Sequence, residues 1–177
     1  MGILLQFLAT KALAPILGSI VLLSMGERPV SLSKPEVFIR EDTLFISTKV
    51  NHGFPKELLK IIKSGTPVTF RLHVLAVENI YFVRTVYYDI EKRIYNVKRE
   101  EDEGEIKTED EKKMKEFIAN FSGVYILTDN IPSSQKITIR VSLDPVKLDF
   151  LGDGEFDLMT LWDYRSPQQT VKIRKQD

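Results

Sequence analysis

The chain offers few side chains suited to acid-base or metal chemistry near neutral pH. Its two histidines, His52 and His73, are the residues whose unperturbed charge changes there, and neither has a Cys, Asp or Glu at ligand spacing. His52 falls in the break Asn51-His52-Gly53 and reads as a solvated loop residue. His73 lies between Leu72 and Val74 in a strand-forming run and reads as a boundary residue. Asp149, Asp153, Glu155 and Asp157 gather oxygens around Gly152 and Gly154, which suggests a calcium loop, but the spacing is not that of an EF-hand, so the reading is a solvated turn. There is no Gly-x-Ser-x-Gly elbow, no Gly-x-x-x-x-Gly-Lys phosphate cradle and no Gly-x-Gly-x-x-Gly fingerprint. No catalytic, cofactor or metal residue is therefore assigned.

The elements that would position any site are better signalled. Leu58, Leu59, Ile61 and Ile62 share one helical face between Pro55, suited to the first helical position, and Gly65, suited to a left-handed stop. From Val68 to Ile90 the β-formers Val, Thr, Phe, Tyr and Ile occupy both parities, which predicts two neighbouring strands. Val37 to Arg40 and Leu44 to Val50 predict a hairpin around Glu41-Asp42-Thr43, and Arg93 to Lys98 a further strand. The charged stretch after Lys98 reads first as a solvated loop. Thr108 with Glu111 then gives a capping-box pattern for a second helix, with Met114, Phe117, Ile118 and Phe121 on one face and its end at Gly123. Val124 to Leu127 predicts a short strand. Ile137, Ile139, Val141 and Leu143 alternate with Lys136, Thr138, Arg140 and Ser142, the pattern of an antiparallel strand with one face in water. Gln169 to Arg174 closes the chain as an edge strand.

With 43% hydrophobic and 28% charged positions over 177 residues, the composition is that of one globular domain. Basic and acidic residues balance, 25 against 25, so the footprint of a nucleic-acid binder is missing. Cysteine is absent, which excludes disulfides, thiolate metal sites and a cysteine nucleophile. Residues 1–26 hold one charged residue, Lys11, ahead of the apolar run Ala12 to Met25, and are read as an apolar helix serving as a signal peptide or a membrane anchor. Residues 27–35 are the linker into a single domain, residues 36–177. Tyr81, Phe82, Tyr87, Tyr88 and Tyr95 concentrate in adjacent strands, where cross-strand packing is the first explanation. Their exposed parity is a candidate interaction surface, for which Tyr81, Tyr87 and Tyr95 are singled out together with Trp162.

The order of a leading apolar segment, Gly65-Thr66-Pro67 after a helix, Tyr88-Asp89, Tyr95-Asn96-Val97, a charged helix, Arg140-Val141-Ser142-Leu143-Asp144, and Trp162 with Ser166 resembles the bacterial domain-of-unknown-function family 4390. The resemblance runs roughly from Pro29 to Arg174. It implies an exported or membrane-anchored envelope domain without an assigned activity, and supplies no catalytic residues. The expectation is an α+β domain, a mainly antiparallel sheet of six to eight strands carrying two amphipathic helices. It would sit outside the cytoplasm on the inner membrane, or in the periplasm after cleavage. The expected role is non-enzymatic, as an interaction or accessory domain without cofactor, its partners the membrane through residues 1–26 and an envelope protein. The alternative is a periplasmic carrier enclosing an apolar ligand, lipid or peptide, between the first helix and the aromatic strands.

Overall fold

The computed structural model describes residues 28–75, 79–127, 136–148 and 154–175; the apolar segment at residues 1–26 lies outside them. Among the described residues, thirteen strands fall into a six-stranded sheet, a five-stranded sheet and a two-stranded ladder, so the single sheet of six to eight strands expected above is corrected to two sheets around one core. The physical reason lies in the parities. Each sheet has one apolar face, and the two faces cover each other together with the helices.

The six-stranded sheet runs β12 (Gln168–Lys172), β9 (Lys136–Leu143), β4 (Val68–Leu75), β5 (Asn79–Asp89), β6 (Ile94–Arg99), β7 (Glu105–Thr108), antiparallel throughout. Its inner face carries Val68, Phe70, Leu72 and Val74, beside Ile137, Ile139, Val141 and Leu143. In the five-stranded sheet, β3 (Thr43–Asn51) pairs with β1 (Ser31–Leu32), β2 (Glu36–Arg40) and β8 (Asn120–Leu127), and buries Leu44, Ile46, Thr48 and Val50. On β8 an extra residue opposite Ser47 makes a bulge, where Gly123 takes φ +72° and its N–H donates to the Ser47 hydroxyl. Val146–Lys147 (β10) pairs with Glu155–Phe156 (β11).

The two sheets are joined at the chain's end. β12 runs antiparallel to β9, Ile173 turns into the core at 2% exposure, and β13 (Arg174–Lys175) then pairs in parallel with β2 in the other sheet.

Helix α1 (Lys56–Lys63) starts after Pro55 and ends at Gly65, φ +88°, with Leu58, Ile61 and Ile62 fully buried. Helix α2 (Glu111–Ala119) departs from expectation at both ends. Its N-cap is Asp110, whose carboxylate accepts from the Lys112 and Lys113 amides, while Thr108 closes strand β7 in the stretch read as loop. Its C-terminus comes at Ala119 and not at Gly123, and Phe121 enters the core from β8. The cause is Arg84 on the inner face of β5. Its Nη1 donates to the carbonyls of Phe117, Ile118 and Asn120 at 2.8, 3.3 and 2.6 Å, its Nε reaches Glu101 at 2.7 Å, and its guanidinium lies 4.0 Å from the centre of the Phe121 ring. A cation thus occupies the negative end of the helix dipole and satisfies carbonyls that the helix cannot pair itself.

Two expected outcomes follow from these contacts. Arg84 is 1% exposed and Glu101 9%, so Arg84→Ala leaves a buried carboxylate and helix carbonyls unpaired, at a cost of about 3 to 5 kcal/mol in urea unfolding; Arg84→Met combined with Glu101→Leu recovers part of that loss. Glu111, bonded first to Lys115 and then to Lys63, is held at about 2, below its ordinary 4.5. A carboxylate lowered in the folded state contributes stability above the unfolded value and loses it as pH falls toward the folded one. The denaturation midpoint therefore drops between pH 4.5 and 2, less steeply in Glu111→Gln.

Candidate functional site

Because β4 and β9 bury one parity against the core, the other parity is forced outward, and register decides which outward residues meet. His73 stands directly opposite Arg140 of β9 on one side and Tyr81 of β5 on the other; one step along, Arg71 stands opposite Ser142 and Val83. Gln168 of β12 extends the first row by facing Arg140. The outer face of the six-stranded sheet thereby collects two guanidinium groups, an imidazole, a serine hydroxyl and a phenol.

The side chains within it are fixed by specific bonds. Arg71 holds Asp144 through two contacts, Nε to Oδ1 at 3.0 Å and Nη2 to Oδ2 at 2.6 Å, and its guanidinium carbon lies 4.8 Å from the centre of the Tyr81 ring. His73 Nε2 shares a hydrogen with Ser142 Oγ at 3.0 Å, and its ring centre is 6.5 Å from that of Tyr81. Threonine pairs flank the cluster, Thr69 with Thr85 at 3.0 Å and Thr138 with Thr170 at 2.9 Å. Burial pushes the His73 pKa down from 6.5, and the neighbouring charges of Arg140 and Arg71 push it in the same direction, against a smaller opposing pull from Asp144. The imidazole is neutral at pH 7. Hydrogen bonds to the Asp144 carboxylate, and that group's charge, raise the pKa of Arg71.

The aromatic residues singled out from sequence divide by parity. Tyr81 and Tyr87 are outward on β5, at 56% and 43% exposure. Tyr95 is not on that surface. It pairs with Tyr88 on the inner face, is 3% exposed with ring centres 4.9 Å apart, and donates its hydroxyl to Glu111 at 3.3 Å. Trp162 is also removed from the candidate surface. It closes the 3-10 helix Leu158–Trp162 at 4% exposure, packs near Phe70 and donates Nε1–H to the carbonyl of Gly53. A Cβ at Gly53 would lie 2.7 Å from the Val50 Cγ1 methyl and 3.6 Å from Trp162, so any larger residue there forces the Val50 side chain to shift. Exposed Tyr164 follows in the turn after that helix.

His52 is an exposed residue at φ +57°, as a loop reading expects. Of the acidic group, Asp149 and Asp153 lie outside the described residues, Glu155 faces Lys147 in a ladder, and Asp157 caps the 3-10 helix through the Met159 amide. Among the described residues no three His, Asp or Glu side chains converge to hold a metal ion. Arg71, Arg140, Ser142 and Asp144 were not singled out as site residues from sequence. The signal for three of them was present in the alternation Arg140-Val141-Ser142-Leu143-Asp144, which puts every second residue on the wet face.

Chemically, the cluster binds better than it reacts. A serine hydroxyl against an imidazole is the start of an activated nucleophile, but the carboxylate that would orient the ring is engaged by Arg71, and the strand amides that would stabilise an oxyanion are committed to the ladder. What remains is a flat array of donors beside an exposed aromatic ring.

Fold and face define a class, a two-sheet α+β domain with a polar, aromatic outer sheet face. Compared with protein-family models, with curated proteins and with solved structures, the chain has no match in any of the three.

The electrostatics of the face can be measured. In a proton NMR titration, His73 should ionise below the ordinary histidine value of 6.5, and Arg140→Gln should move it upward by removing one neighbouring positive charge.

Proposed function

We propose that this chain is a non-enzymatic interaction domain of the bacterial cell envelope, and that its partner, an envelope protein, docks on the outer face of the six-stranded sheet around Tyr81 and Tyr87. Residues 1–26 hold it on the outer side of the inner membrane or are removed to release it into the periplasm. The resemblance to the domain-of-unknown-function family 4390 is part of the same reading.

The observation that carries it is Tyr81. Tyr81 is 56% exposed, yet Arg71, itself clamped to Asp144, lies against its ring and His73 lies beside it. An exposed aromatic already held in place loses little conformational freedom on binding, which is the property of an interface anchor. The carrier alternative has less support. Leu58, Ile61 and Ile62 of α1 are packed to zero exposure against the core, where an apolar ligand would need room between helix and strands.

The test is site-specific photo-crosslinking of the full chain in a bacterial host, with a benzophenone amino acid at position 81, 87 or, as a control, at exposed Lys60 of α1. Discrete adducts from positions 81 and 87, in the membrane or periplasmic fraction, are the expected result. Absence of such adducts, or equal labelling from position 60, overturns the proposal.

A further inference from the structure

The chain is neutral as a whole, but the outer face is not. On the outward parity of β4, β9 and β12 stand Arg71, Lys136, Arg140 and Lys172, accompanied by Asp144, which Arg71 already engages through both of its oxygens. Lys136 and Lys172 are directly opposite one another, with no carboxylate between them. Among the described residues, Lys136, Arg140 and Lys172 take part in no ion pair, and Arg140 Nε is buried without an acceptor. In the chain's own acidic stretch, Glu101 is paired with Arg84, Asp102 with Arg99, and Glu111 with Lys63 and Lys115.

We infer that this face recognises an acidic segment of a protein partner, a carboxylate settling on the Arg140 guanidinium beside His73 and Ser142 while the segment runs past Tyr81. The inference rests on the docking face proposed above and adds the chemistry of what docks there. The row Gln168, Arg140, His73, Tyr81 crosses four adjacent strands, about 14 Å at the usual spacing, which is the length of about four extended residues. A planar guanidinium matches a carboxylate through two parallel hydrogen bonds, and the lysine pair extends the attraction to further acidic side chains. Arg71 clamped to Asp144, part-buried Arg140 and the ordered Tyr81 ring give fixed positions suited to a defined chain. The groups facing His73 are Arg140, Arg71, Ser142, Tyr81 and the more distant Asp144; an arriving carboxylate offsets the two guanidiniums, so binding draws a proton onto the imidazole. Affinity therefore rises as pH falls through the histidine range.

The test uses the full chain in a neutral detergent and a fluorescein-labelled, end-blocked hexaglutamate, read by anisotropy at low salt. Saturable binding is expected, weakened at least tenfold by Arg140→Ala and by the exposed-site change Lys172→Glu, unaffected by Lys60→Ala, and tighter at pH 5.5 than at pH 7.5 unless His73 is replaced by Ala. Lys172→Glu keeps the test decisive if Arg140→Ala does not fold. Absence of saturable binding, or binding indifferent to both substitutions, overturns the inference. So does Arg140-dependent binding of soluble phosphatidylglycerol or inorganic phosphate with none of hexaglutamate, which would assign the site to lipid or to free anion. If photo-adducts form at positions 81 and 87 while hexaglutamate fails, the docking face stands and the acidic partner falls; if the adducts also fail, the face itself is lost.

Discussion

The buried guanidinium of Arg84 is the constraint on which the rest of the structure depends. A charge at 1% exposure is tolerable only when every donor and the charge itself find partners, and Arg84 finds them on three separate elements. It bonds the Glu101 carboxylate beyond β6, the carbonyls of Phe117 and Ile118 at the end of α2, and the carbonyl of Asn120 where β8 begins. Strand β5 belongs to one sheet and β8 to the other. One side chain therefore fixes the point at which the helix must stop and the distance at which the second sheet begins. Burial lowers the pKa of Arg84 and Glu101 opposes that shift, the balance expected of a charge kept inside by its partner.

With that junction fixed, the outer face becomes a consequence of the inner one. The apolar parities of β4, β5 and β9 are consumed by the shared core, so Arg71, His73, Tyr81, Arg140 and Ser142 have nowhere else to point. Their cross-strand positions follow from a register that the core itself enforces, because a slip by one residue would bring His73 inward and Leu72 outward. The proposed interaction surface is thus rigid for the same reason that the domain is folded.

Much of this was legible in the sequence, and the exceptions share a cause. Helix α1, the hairpin of β2 with β3, and the alternation of β9 are each specified by residues within a few positions of one another, and they stand where periodicity puts them. The end of α2 was misplaced because the group that satisfies its carbonyls lies 33 to 36 residues away in sequence, and no local glycine marks the stop. Strand β7 has the composition of a loop, since Glu105, Lys107 and their neighbours are charged; its pairing with β6 places Ile106 opposite Val97, and that one inward contact outweighs composition on an edge strand. The aromatic cluster failed in the same way. Strand-forming residues on both parities gave no indication that Tyr95 faces in and Tyr87 out, and only pairing with Tyr88 and Asn96 decides it.

The last strands give the molecule an order in time. Residues 168–172 finish one sheet and residues 174–175 finish the other, with Ile173 as the pin between them. Both closures link parts of the chain far apart in sequence, the kind of contact that forms late because a long loop must first be closed. Until this seam forms, each sheet has an open margin and the two halves of the core are not yet stitched. Docking of this one short segment therefore closes both sheets together, and its detachment opens both at once.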